Sequence, residues 1–349
     1  MQTRVLYRKV ARKVLSETLH VKKGEALTVE AWNNGVEFGR IVVAEARAIG
    51  CTAVMLFEDE DAHVEGVRRS PSDMVGLMGK NEYNLLAGTD AYVFIPGQAL
   101  AAYSRTLSPA EQANSTRYNS SWYDAAKAAR LRGARLTFGY VGRDMARMLG
   151  RDIDDIVRSQ LMAALTDYGE ISQTATALSS TLSDGTNVEL DSQGATLRFA
   201  LKGALTVDDG IVDEKDLAIG NNMAYIPPGL VTKGVDPDSV EGKLKVSRTL
   251  TKYGVLGGAE LEFKGGRLMR WKSREGTKLR KLLTSVPEDK RRLSLLGVGI
   301  NPVLNYGFGQ DRFVRGAVTL GGLGFNALMR GSSLSIGGRL TLSRGTLTA

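Results

Sequence analysis

The chain has 349 residues, 43% hydrophobic and 24% charged, the balance of an ordinary soluble globular protein with enough length for two domains. No apolar run approaches the roughly 18 residues of a membrane span, and the opening MQTRVLYRKVARKVLSETL lacks the apolar core of a secretory signal. A single cysteine, Cys51, excludes an internal disulfide and fits a reducing, cytoplasmic setting.

In chain order, ALTVEA (Ala26–Ala31) predicts a strand after the turn KKGE. GVEFGRIVVAEARAIG follows as a helix closed by Gly50, and TAVMLF (Thr52–Phe57) as a short buried strand leading into an acidic loop, EDEDA. AYVFIP (Ala91–Pro96) and RLTFGY (Arg135–Tyr140) repeat the strand pattern around the helical YDAAKAARLRG, and ARMLGRDIDDIVRSQLMAALTDYG predicts one or two helices. Apolar strands alternating with helices predict a largely parallel sheet covered on both faces.

From about Ile171 the character changes. Short segments such as NVEL, ATLRFAL and AYIPP alternate with Gly, Asp and Asn turns, and GAELEFKGGRLMRWKS predicts a hairpin turning at Gly265-Gly266. One helix, SREGTKLRKLLTSV, precedes further glycine-rich strands. The expected organisation is an α/β domain over 1–170 and a β-rich (α+β) domain over 171–349.

Charge is +8 overall and unevenly placed: lysines and arginines crowd the segment Lys264–Arg292, and no acid follows Asp311. The plainer reading of that segment is a solvated or oligomer-facing surface, with an anionic or protein partner as the alternative; a nucleic-acid role rests on charge alone, without the interleaved aromatics that stack on bases.

The residue inventory narrows the chemistry. Both histidines, His20 and His63, lie in the first half. His63 follows Glu58, Asp59, Glu60 and Asp61, a conceivable carboxylate–histidine metal site whose plainer reading is a solvated loop. His20 sits where a helix ends and needs no ligand role. Asp152, Asp154 and Asp155 suit a helix N-terminus, and the run Asp208–Asp216 lacks calcium-loop spacing. There is no nucleophile elbow, P-loop or H-E-x-x-H, and GVGINP fails as a dinucleotide fingerprint for want of a third glycine and because of Pro302.

Four segments taken together carry a resemblance. NNMAYIPPGLVTKGVDPDSVEGKL, LEFKGGRLMRWKS, LLGVGINP and GQDRFVRGAVTLGGLG resemble, in order, segments of the aminopeptidase T/aminopeptidase S type of thermophilic metallopeptidases, which are leucyl aminopeptidase-like. VKKGEALTVEA and EARAIGCTAVMLF are similar to that family's opening. The resemblance implies an N-terminal α/β domain, a β-rich catalytic domain, and a homodimer enclosing a two-metal site held by glutamates, histidines and an aspartate. Carried onto this sequence, those ligand positions fall on Leu230, Leu295, Thr319, Ser335 and Gly337, none of which ligates, and the glutamate expected after Asp311 is Arg312.

The leading expectation is therefore a catalytically inactive homologue, with no metal or other cofactor, acting as a self-associating binding, scaffold or assembly protein. A metal-dependent aminopeptidase-like hydrolase is the alternative. So is an enzyme whose chemistry has moved to Asn222, Tyr225, Asn301, Tyr306, Asp311 and Arg312 in the old cleft. A homodimer or larger homo-oligomer away from any membrane is expected throughout.

Overall fold

The computed structural model describes residues 2–71, 74–97, 108–251, 253–288, 291–304 and 311–348. The chain divides into two compact units: 1–143 with 210–227, and 144–209 with 228–349. Secondary structure changes character near residue 170, but by packing 144–209 goes with the second unit and 210–227 with the first.

The first unit is α/β. It opens with α1 (Gln2–Lys13), continued by one wider turn over Val14–Thr18. Then come β1 (Ala26–Trp32), α2 (Val36–Ile49), β2 (Thr52–Glu58), α3 (Glu60–Arg69), α4 (Lys80–Ala87), β3 (Ala91–Ile95), α5 (Pro109–Ala128) and β4 (Arg132–Leu136). Gly50 ends α2 at φ +97, a left-handed conformation that glycine adopts without steric cost.

The sheet is wholly parallel, in the order β2, β1, β3, β4 and a late strand over Met223–Ile226. Both faces are covered, as parallel sheets require. α2 lies so close to one face that a side-chain carbon on Gly39 would come within 3.1 Å of Ala31 Cβ. On the other face Trp122 of α5 stacks edge-on against Tyr92, ring centroids 5.2 Å apart. Tyr7, Phe38 and Phe138 form a second aromatic knot, with Phe38 5.1 Å from Tyr7 and 5.0 Å from Phe138.

Three local expectations are corrected here. The acidic run after β2 is the start of α3: Asp59 caps it by accepting from Ala62 N at 2.9 Å, and acids in a first turn suit the helix dipole. The strand expected over 135–140 begins at Arg132 and gives way at Thr137 to a 3₁₀ turn. AYIPP, read with the β-rich half, supplies the fifth strand of the parallel sheet instead.

The second unit begins with α6 (Arg143–Leu149), α7 (Ile153–Ala164) and α8 (Tyr168–Ser179). Gly150 at φ +64 separates the first two, and Asp152 and Asp167 cap the next ones by accepting backbone N–H groups at 2.8 Å. Its strands are β5 (Asn187–Ser192) and β6 (Ala195–Asp208), then, after α9 (Glu214–Ile219) and β7 (Met223–Ile226) of the first unit, β8 (Leu230–Val235) and β9 (Glu241–Val246). A small hairpin joins β10 (Thr249–Thr251) to β11 (Gly254–Leu256), and a longer one joins β12 (Ala259–Lys264) to β13 (Arg267–Lys272). After α10 (Gly276–Thr284) come β14 (Leu295–Gly299), β15 (Val318–Gly321), β16 (Ala327–Met329), β17 (Ser333–Ile336), β18 (Arg339–Ser343) and β19 (Thr346–Leu347).

These form an antiparallel sheet in the order β16, β15, β14, β8, β6, β5, β17, β18, β19, with β9, β12 and β13 branching from β6. The bend in β6 between Leu201 and Leu205 allows this: its first half pairs with β5 and its second with β8. β5 alternates exposed and buried residues, placing Val188, Leu190 and Ser192 on the core side. The fold is thus an α/β unit with a parallel sheet and a β-rich unit with helices, as the sequence predicts. Among the described residues no helix is long and apolar enough to cross a membrane.

Candidate functional site

Three of the five carried-over ligand positions share one face of three adjacent strands in the second unit. Gly297, in the middle of β14, pairs with Thr232 of β8 on one side and Thr319 of β15 on the other. A Cβ at Gly297 would stand 3.5 Å from Leu230 Cδ1 and 3.6 Å from Thr319 Cβ. Leu295 is on the same face two residues earlier, and its side chain lies 3.4 Å from the corresponding point on Gly321.

The donor chemistry of this face does not fit two metal ions. Leu230 and Leu295 offer no donor, and Thr319 offers a neutral hydroxyl that is buried and makes no hydrogen bond. Asp208, cross-strand from Leu230, brings one carboxylate. Metal ions of this kind need several anionic or imidazole ligands, and among the described residues no group of three His, Cys, Asp or Glu could hold one. Ser335 and Gly337 lie elsewhere: Ser335 is on β17, which β6 and β5 separate from β8, and Gly337 is in the exposed turn after β17.

The candidates for relocated chemistry divide between the two units. Asn222 and Tyr225 are in the first unit, and Asn301, Asp311 and Arg312 in the second; Tyr306 lies outside the described residues. Asn222 is buried, precedes β7, and its Nδ2 makes no hydrogen bond. Asn301 is wholly buried, with its amide committed to backbone groups. Asp311 opens a 3₁₀ turn over Asp311–Phe313, and the Arg312 guanidinium stands 5.1 Å over the Phe313 ring.

The basic segment Lys264–Arg292 lines a groove of about 990 Å³ between β13 and α10, with Arg267, Met269, Trp271, Arg280, Arg291 and Arg292 on its walls. Asp238 and Glu288 also line it, and Asp238 pairs with Arg292 at 2.7 Å. Met269 is 59% exposed, and among the described residues β13 pairs only with β12.

A second constellation, missed in the sequence, lies within the first unit. Parallel register sets Glu30, Phe94, Arg135 and Tyr225 side by side across β1, β3, β4 and β7, on the face that α5 covers. A cavity of about 220 Å³ lies between that face and α5. Glu30 forms part of its lining: Trp32 Nε1 donates to one carboxylate oxygen at 2.8 Å, and the Tyr92 hydroxyl donates to the other. Burial raises the Glu30 pKa against those two hydrogen bonds, and the charges of Glu58 and Glu82 raise it further.

Around the cavity, the Tyr118 hydroxyl donates to Glu82, and burial with that carboxylate pushes its pKa well up. Burial and the neighbouring Tyr225 push Tyr123 up to about 12. Arg135 donates to the Tyr140 hydroxyl, and its guanidinium carbon stands 5.1 Å from the Phe94 ring and 5.7 Å from that of Tyr225. His63 is 3.6 Å from Glu58 and 4.9 Å, ring to ring, from Trp32.

Two signals in the sequence point to this cavity. Glu30 is a carboxylate inside an otherwise buried strand, and Tyr118 and Trp122 stand four residues apart on one helix face.

The fold of this chain is shared with a protein of known structure. A solved structure of wild-type AmpT from Thermus thermophilus is similar over 99% of this chain and 99% of that one, with a TM-score of 0.69 and 15% sequence identity. No protein-family model and no curated protein matches the sequence.

Proposed function

We propose that this chain is an aminopeptidase-fold protein without the two-metal peptidase reaction, acting instead by binding and self-association. The observation that carries the reading is the face around Gly297, where Leu230, Leu295 and Thr319 occupy the positions at which the resemblance implies ligands. Side chains of that kind neither hold a metal ion nor lower the pKa of a bound water. Replacing buried carboxylates by leucines also removes the cost of leaving them unpaired.

The same reading includes a homodimer or larger homo-oligomer, and an anionic or protein partner at the groove beside Lys264–Arg292. Support for the latter is the concentration of arginines there around the partly exposed Trp271 and Met269. Sedimentation at low and high salt tests both. Salt-sensitive association points to the basic segment, and a monomer throughout removes self-association from the proposal.

The decisive experiment is elemental analysis of the purified protein, paired with a peptidase assay in added zinc, cobalt or manganese. Substoichiometric metal and no hydrolysis are expected. Stoichiometric metal with metal-dependent release of N-terminal residues overturns the reading.

A further inference from the structure

The cavity under α5 in the first unit has a chemical character of its own, independent of any loss of metal chemistry in the second. Its walls are the rings of Trp32, Tyr92, Phe94, Tyr118 and Trp122. One of its carboxylates, Glu30, is oriented by two donors; a second, Glu58, is 42% exposed and stands beside His63. A third, Glu82, lies behind Tyr118. We propose that this cavity binds a small organic ammonium ion with an apolar body.

Three observations converge on that class. Aromatic faces carry negative quadrupole density and hold an ammonium group within about 6 Å of the ring centre, most strongly where water is excluded. A carboxylate accepts about four hydrogen bonds, and Trp32 and Tyr92 use two on Glu30, so an N–H donor entering the cavity finds acceptor capacity fixed in direction. Burial keeps the Glu30 pKa raised, and an arriving cation is what would bring it down.

Other ligands fit less well. An anion would meet two lining carboxylates, Glu30 and Glu58, and one guanidinium, Arg135, already engaged by Tyr140 and the Phe94 and Tyr225 rings. A metal ion would find rings where it needs donors, and the described residues offer it no set of three ligands. The volume, about 220 Å³, suits a molecule of amino-acid or arylalkylamine size.

Whether the ammonium belongs to a simple amine or to an amino acid turns on Arg135. Arg135 is the cation in the cavity lining, and a ligand carboxylate would have to compete there with Tyr140 for its guanidinium.

The test is titration of the full chain with phenethylamine, phenylalanine, tetramethylammonium and 3-phenylpropionate, followed by calorimetry and by the fluorescence of the cavity tryptophans. Saturable binding of phenethylamine or phenylalanine is expected, with 3-phenylpropionate inert. Glu30→Gln should weaken the amine by about tenfold or more. Because Glu30 is buried among donors, Glu58→Gln at the exposed side serves as a second variant, with a smaller loss expected and the fold undisturbed. Phenylalanine binding tighter than phenethylamine assigns the ligand to amino acids, and the reverse assigns it to simple amines; either order keeps the ammonium. No saturable binding of any of the three ammonium compounds up to about 10 mM, or 3-phenylpropionate binding as tightly as phenethylamine, overturns the proposal.

Discussion

Asn301 Nδ2 donates to the Pro228 carbonyl at 2.8 Å, tying the end of β14 to the chain just before β8. The same nitrogen reaches the Ala163 carbonyl at 3.3 Å, while Oδ1 accepts from Val303 N at 3.0 Å and Leu304 N at 2.8 Å. Both ends of the amide are thus used inside a fully buried site. Replacing Asn301 by Ala should cost about 2–4 kcal/mol, since it strands several buried polar groups. Asn301→Asp should cost a comparable amount at neutral pH, because a carboxylate cannot donate to either carbonyl. Urea unfolding of both variants measures this; a loss in Ala but not in Asp would mean that the donor half contributes nothing.

Leu230 is a position where the resemblance implies a glutamate, yet it is 5% exposed and packed over Gly297. Leu230→Glu should destabilise the fold by about 3 kcal/mol, from lost apolar burial and a carboxylate without adequate partners. Added zinc should not restore the loss. Denaturant curves with and without the metal check both statements.

The hairpin between β12 and β13 turns on two left-handed glycines, Gly265 at φ +53 and Gly266 at φ +71. Space distinguishes them. A side chain at Gly265 would meet nothing within 4 Å, whereas one at Gly266 would begin 1.9 Å from the Pro237 carbonyl oxygen. Gly265→Asn should therefore change stability by less than about 1 kcal/mol, and Gly266→Ala should cost about 2 kcal/mol or more. Thermal unfolding of the two variants side by side gives the comparison.

Glu30 makes stability depend on pH in a defined direction. Burial first, then Glu58 and Glu82, raise its folded pKa above the ordinary 4.5, with the Tyr92 and Trp32 hydrogen bonds opposing. The folded state then binds a proton more tightly than the unfolded one. Its contribution to stability is fully present below the unfolded value and is lost as pH rises through the folded value. Glu30→Gln removes this titration. The stability of wild type minus that of the variant should fall as pH rises, as read from denaturant midpoints across the series. A difference that rises with pH contradicts the assignment.

Much of the local structure was legible because its causes are local. Gly50 closes α2, Asp152 caps α7, and the Gly265-Gly266 pair turns the hairpin; each acts through backbone geometry within a few residues. Alternating strands and helices were enough for the parallel sheet of the first unit. The acidic run at Glu58–Asp61 misled because the same residues suit a solvated loop and a helix start, and only the Asp59 bond to Ala62 N distinguishes them.

The candidate sites were legible only in part. Leu230, Leu295 and Thr319 could be named from motif resemblance, but that they share a face around Gly297 comes from the register of β8, β14 and β15. Ser335, named in the same way, lies two intervening strands away from β8.

The sequence alone determined the change from α/β to β-rich structure and the lack of ligand side chains at the carried-over positions. The first is a matter of composition and short-range pattern, and the second rests on the motif resemblance. The tertiary structure decided that Met223–Ile226 would complete the first sheet, and that Glu30, Phe94 and Arg135 would stand in one row beneath Trp122. Parallel pairing joins strands far apart in the chain, and the side chains it sets side by side carry no local signal of one another.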